Sequence, residues 1–265
     1  MNARAFLIRG LGAGLLAGLA TFAVAYVVGE PSVNQAIAIE EAGSEPAAAP
    51  LGDHGHAEDV EAGHSHDAGA SVSRTDQSTW GLLTGTATVG VTLGGLVALV
   101  AAGAMGRMVR LSPAASTAAV GAIGYVSVAL VPFLKYPATP PAVGDGDTIG
   151  QRTVLYFTFA AISLAAAAAS TVLAARLVHS LGPQNAVVAG AGTYVAVVVL
   201  AGSLMPTVNE IGNFPGAVLW DFRLASMLTL TVLWVTISLA LSVSVRRLDQ
   251  RHRVEQARRE FAASL

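Results

Sequence analysis

Apolar runs, each about as long as a bilayer crossing, alternate along this chain with polar connections rich in Pro, Gly and acids. A spanning helix needs roughly 20 mostly apolar residues, because the hydrocarbon core is about 30 Å thick and a helix rises about 1.5 Å per residue. Six stretches qualify: 9–28, 80–104, 114–134, 153–175, 185–205 and 223–244, none with an internal Asp, Glu, Lys or Arg. In lipid every backbone N–H and C=O must be paired within its own segment, so each stretch predicts an α-helix. The expected fold is an all-α integral membrane protein, a bundle of about six transmembrane helices. Its parts are a first transmembrane helix over 1–28, a long His/acid-rich extracytoplasmic loop over 29–79, partly disordered, a five-helix transmembrane region over 80–245 and a basic cytoplasmic tail over 246–265.

The first stretch also fits the apolar part of a signal peptide, since Arg4 and Arg9 precede it. Its length and the recurrence of Gly10, Gly14 and Gly18 favour a retained span. Small residues every fourth position suit close helix packing in membranes. Gly81 and Gly85, then Gly90 and Gly94, repeat the spacing in the second span, although so Gly-rich a chain also produces such spacings by chance.

Charge orients the bundle. With the N-terminus in the cytoplasm, the inside holds Arg4, Arg9, Arg107, Arg110, Arg176 and six tail arginines, against Arg74, Lys135, Arg152 and Arg223 outside: 11 against 4. The positive-inside rule selects both termini cytoplasmic in a multi-pass membrane protein. Composition agrees with a membrane protein, at 53% hydrophobic and 12% charged, against roughly 25% charged in soluble domains. A net charge of −2 speaks against a nucleic-acid partner; the expected surroundings are membrane lipid. The chain has no cysteine, which excludes disulfides, thiolate metal sites and a Cys nucleophile.

Three polar constellations carry candidate chemistry, all on the expected outer face. Asp53-His54-Gly55-His56 is followed by Glu58, Asp59, Glu61 and His64-Ser65-His66-Asp67, so four of six histidines fall within 13 residues. Imidazole is a favoured ligand for later first-row divalent metals, and the flanking carboxylates attract cations. His54, His56, His64 and His66 therefore read as a flexible metal collector; the plainer reading is a solvated polar loop. The second constellation is Pro132-Phe133-Leu134-Lys135-Tyr136-Pro137 with Pro140-Pro141, stiffened by its prolines. In it Lys135 either snorkels to the interface or pairs with an acid from another outer loop to shape the mouth of the bundle. The third holds Asn209 and Glu210, oxygen ligands for a cation, then Trp220 as an interfacial anchor, with Asp221 and Arg223 capping or pairing at the helix start. Glu30, just past the first span, is a further outward oxygen ligand or a charged stop. No catalytic signature occurs: no G-x-S-x-G, no G-x-x-x-x-G-K-[ST] and no H-E-x-x-H, so no enzyme and no resident cofactor is expected.

Several of these segments together resemble the CbtA family of predicted bacterial cobalt transporter subunits. They are Arg4-Ala5-Phe6-Leu7-Ile8-Arg9-Gly10-Leu11, Gly29-Glu30-Pro31, the His-rich loop and Leu130-Val131-Pro132-Phe133-Leu134-Lys135-Tyr136-Pro137 with Pro140-Pro141. Asn209-Glu210 with Phe214-Pro215, and Trp220 with Phe222-Arg223-Leu224-Ala225-Ser226, complete the set. The resemblance runs over nearly the whole chain, and Lys135-Tyr136-Pro137-Ala138 with Pro140-Pro141 is its most specific part. It implies an inner-membrane protein that moves cobalt inward in support of cobalamin synthesis, beside a small single-span CbtB partner. Two functions stay open. In one, the His loop collects a divalent cation as substrate and Glu30, Asn209 and Glu210 receive it. The spans then offer only hydroxyls such as Thr84, Thr86, Thr88, Thr92, Ser127 and Ser163, where charged residues would normally mark a pathway. In the other, the chain is a non-transporting scaffold or metal-binding accessory protein, a reading that gains if glycine stripes pack the interior tightly.

Overall fold

A computed structural model describes residues 3–44, 72–106 and 111–264. Within them lie five long apolar helices and no strand: α1 (Ala3–Gly43), α2 (Arg74–Ala104), α3 (Pro113–Lys135), α4 (Gly146–Leu204) and α5 (Gly216–Ala263). The all-α reading stands. The count differs from six because the fourth and fifth expected spans are one element, α4, whose helix continues through 176–181 and reverses only at Gly182. Gly182 has φ 77° and ψ 165°, a conformation that a Cβ disfavours, and Pro183 cannot donate to a preceding turn. The two arms then pack antiparallel. Ser163 Oγ lies 2.8 Å from the Tyr194 hydroxyl, and Gly190 and Gly202 sit against Ala174 and Phe159 of the first arm.

The glycine stripe decides how α1 and α2 meet. Gly10, Gly14 and Gly18 face Ala98, Gly94, Gly90 and Ala87 with backbone nearly touching backbone. A Cβ on Gly18 would lie 2.6 Å from the Thr86 carbonyl oxygen, and one on Gly14 would lie 2.8 Å from the Gly90 carbonyl carbon. Close backbone approach of this kind is how membrane helices gain dispersion without a hydrophobic driving force. Gly85 takes no part, having nothing within 4 Å of a Cβ, and Gly81 meets only a carbonyl of its own helix. Helices α3 and α5 complete the main bundle through a buried cluster that includes Phe6, Ala17, Val97, Val120, Leu233, Trp234, Ile237 and Leu241. The α4 hairpin stands beside it, joined through a second cluster of Tyr136, Phe159, Ala166 and Val198.

Two helices run on past the expected membrane edge. α1 does not stop at residue 28 but continues to Gly43, with Ser32 and Ala36 buried. α5 continues to Ala263, and after Val245, which is fully buried, it leaves the bundle as an exposed basic helix. Prolines explain a local irregularity. Pro31 and Pro132 lie inside α1 and α3, and each follows a π-helical turn, Ala25–Gly29 and Tyr125–Leu130. A helical proline lacks its N–H and collides with the carbonyl four residues back, here Val27 or Val128; widening that turn makes room for the ring. A third π turn, Gln77–Gly81, opens α2 without a following proline.

Candidate functional site: a cavity at the loop end

The connections 45–71, 136–145 and 205–215 all leave from one end of the bundle, here the loop end. That end holds a cavity of about 1020 Å³. Its wall includes Glu30, Lys135, Tyr136, Pro137, Glu210 and Arg223, so six residues singled out along the sequence meet around one space. Asn209 and Trp220 are exposed and face away from it. His54, His56, His64 and His66 lie outside the described residues; the segment carrying them is tethered at this same end, between α1 and α2. Among the described residues no group of three His, Asp or Glu side chains is arranged to hold a metal ion. The cavity lining on α5 runs from Phe222 to Leu230, eight residues or roughly 12 Å along the helix.

The most connected side chain here is Arg152, which sequence reasoning used only as an orienting charge. Its Nη1 donates to the Val143 carbonyl at 3.4 Å and to Thr139 Oγ1 at 3.3 Å, and Nη2 donates to the Asp145 carbonyl at 3.1 Å. Its Nε forms an ion pair with Glu210 Oε2 at 3.5 Å, and Thr148 Oγ1 donates to the same carboxylate oxygen at 2.8 Å. Arg152 therefore staples its own loop to the 205–215 loop. Gly144 makes the approach possible: its φ is +90°, and a Cβ there would lie 2.7 Å from Arg152 Cζ and 2.8 Å from Glu210 Oε2. Arg74 does the corresponding work for α1 and α2, pairing with Glu30 and donating to Asn34 Oδ1 at 3.2 Å from Nε. The signal for both arginines was present, since each is the lone basic residue just before a span on the face expected to be outward.

Both acids proposed to receive a cation are thus held by a guanidinium. Lys135 donates to the Met205 carbonyl at 3.3 Å and lies 5.5 Å from the Tyr136 ring centroid, and among the described residues no carboxylate pairs with it. Arg223 does not pair with Asp221; its Nε donates to the Ala138 carbonyl at 3.4 Å. Tyr136 donates to the Pro206 carbonyl at 2.7 Å, and burial pushes its phenol above its ordinary value of 10.0, so the donor keeps its proton. Four of the six hydroxyls suggested as a pathway turn back on their own helices, and Ser163 meets the Tyr194 hydroxyl. Thr84, Thr86, Thr92 and Ser127 donate to the Trp80, Leu82, Thr88 and Ile123 carbonyls.

Five long apolar helices, with charged side chains lining a cavity at one end, define a multi-pass membrane protein. Residues 3–246 match the family model described as "Probable cobalt transporter subunit (CbtA)", and the chain belongs to that family. No curated protein and no solved structure matches it.

Proposed function

We propose that this chain is the membrane subunit of a cobalt or other divalent-metal uptake system, in which the loop bearing His54, His56, His64 and His66 collects the ion outside and delivers it to the loop-end cavity. The observation that carries this reading is the cavity itself: it lies at the end where the His-bearing segment is tethered and extends about 12 Å along α5. Counting the two arms of α4 separately gives six crossings, with both termini cytoplasmic in the inner membrane and the loop end outward. In this arrangement Glu30 and Glu210 work as latches held by Arg74 and Arg152, and Asn209 is exposed on the same 205–215 loop as Glu210. The family description, a transporter subunit, supports a complex, and a small single-span CbtB-type chain is the proposed partner.

The accessory reading has an observation of its own. The glycine stripe seals α1 against α2, and an apolar cluster including Leu233, Trp234, Ile237 and Leu241 packs beneath Leu230. On that reading the chain captures metal for its partner and conducts nothing. Whole-cell uptake of radioactive cobalt, with the partner co-expressed, separates the two. The chain raises accumulation at scarce cobalt, and changing the four loop histidines to Ala lowers it. Equal accumulation with and without the chain would remove the transport reading and leave the accessory one.

A further inference from the structure

The charges around the cavity do not balance in the way a site for a bare cation requires. Glu30 is neutralised by Arg74, and Glu210 by Arg152 with a further hydrogen bond from Thr148. Glu40 reaches the rim but is exposed, where water screens it. Lys135 and Arg223 remain. Both line the cavity, both are half-buried, and neither has a carboxylate partner among the described residues. Each is oriented by one backbone carbonyl, Met205 for the lysine and Ala138 for the arginine, and Ala138 lies three residues beyond Lys135 on the same stiff segment. The surrounding wall is largely apolar, including Phe133, Tyr156, Phe222 and Leu230. Charges partly withdrawn from water beside apolar walls favour a partner of opposite sign. A lysine and an arginine lining one space fit a phosphate or carboxylate, with arginine supplying a fork and lysine a point charge. A bare divalent cation meets the wrong sign there.

We infer that the loop-end cavity is an oxyanion-binding site, with Lys135 and Arg223 as its charged contacts, so that a metal ion delivered to it arrives as an anionic carboxylate chelate and not as the bare ion. The delivery clause rests on the uptake reading above; the oxyanion site does not. One chemistry has two sources, a soluble metal–polycarboxylate complex or the phosphate of an anionic lipid headgroup, and both fit a cavity at the membrane edge.

The test uses the full chain in nanodiscs of neutral phosphatidylcholine, with equilibrium dialysis of three probes: labelled citrate, cobalt–citrate and cobalt alone in a non-coordinating buffer. Citrate and cobalt–citrate are retained by the native chain, and retention falls at least tenfold in the double variant Lys135→Gln with Arg223→Gln. Lys135→Arg, which keeps the charge, retains both probes and guards against a folding artefact; circular dichroism and melting check each variant. Adding phosphatidylglycerol to the discs distinguishes the sources. Displacement of citrate assigns the site to lipid phosphate, and continued retention assigns it to the soluble chelate. The inference is overturned if the native chain retains no citrate, or if the double variant retains it equally well. Cobalt uptake that proceeds without citrate retention sinks this inference alone. Citrate retention without uptake leaves the oxyanion site standing and removes the transport reading.

Discussion

Changing Gly144 to Ala should destabilise the loop end and uncouple its two loops. Gly144 has φ +90°, and an L-residue held in left-handed backbone costs roughly 1–2 kcal/mol. The new Cβ would stand 2.7 Å from Arg152 Cζ and 2.8 Å from Glu210 Oε2, where ordinary contact begins near 3.4 Å. Both are the ends of flexible side chains, so the clash is relieved by withdrawing the guanidinium and carboxylate and not by moving backbone. Withdrawal loosens a partly shielded ion pair and the bonds to the Val143 and Asp145 carbonyls, worth about 1–2 kcal/mol together. The sum is about 2–4 kcal/mol. The assay is unfolding of the purified chain in mild detergent, followed by tryptophan fluorescence, with cobalt uptake measured in cells at matched expression. Gly146→Ala is the control, because Gly146 has open space around its Cβ position and no left-handed φ. If Gly144→Ala unfolds with Gly146→Ala, the staple is not organised as described.

The other expectations divide between packing and the site. Gly14→Ala should cost about 1–3 kcal/mol by forcing α1 from α2, while Gly12→Ala, with nothing within 4 Å, should be neutral or slightly stabilising; denaturation of both in detergent checks the sign. Ala142 is the one described non-glycine residue with positive φ, at 64°, so Ala142→Gly should stabilise by up to about 1 kcal/mol, less what glycine adds to unfolded-chain entropy. Glu210→Gln should lower the melting temperature and raise protease cleavage in 205–215 by releasing Arg152; unchanged cleavage would argue against the staple. Since burial raises the Tyr136 phenol above about 10, its stabilising contribution should be fully present below pH 10 and be lost as pH rises through the folded-state value. A pH–melting series of the native chain and Tyr136→Phe checks it, because the variant should lack that alkaline loss.

Much of this architecture is legible from hydropathy because the bilayer leaves few alternatives: a charge-free run of about 20 residues has to be helical. The stripe at Gly10, Gly14 and Gly18 was readable as spacing, but its partner face was not. Gly81 and Gly85 look as good as Gly90 and Gly94 along the chain, and only the crossing point selects the latter pair. The run-on of α1 was hidden by Pro31, which reads as a terminator; the π turn that accommodates it has no pattern of its own. At the site, Glu30, Lys135, Glu210 and Arg223 were visible as polar residues at span ends. That Arg152 and Arg74 hold the two acids was not, since partners 58 and 44 positions apart are joined only by the fold.

The cavity and the core below it together say what movement of an ion would require. Leu230 forms part of the cavity floor and packs on the cluster of Leu233, Trp234, Ile237 and Leu241, the last two fully buried. This plug extends along α5 toward Val245, and Gly121 and Gly124 let α3 close on it against Ser238 and the Trp234 ring. A dehydrated divalent ion finds few oxygen donors to exchange for its water there: most nearby hydroxyls are spent on their own helices or, as with Tyr125 and Thr231 at 2.8 Å, on each other, and among the described residues Thr21 and Ser242 are the buried hydroxyls left without a partner. Leaving even a monovalent charge unpaired in such a medium costs far more than the stability of a domain. The arrangement described is therefore a vestibule closed at its base. Passage requires either that α5 part from α3 and α1 along this plug, or that the path beyond Leu230 be built with another chain. Small-to-large changes at Gly121 or Gly124 separate these cases: they push on the plug directly, and should alter uptake if the plug opens and leave it intact if the route lies outside the bundle.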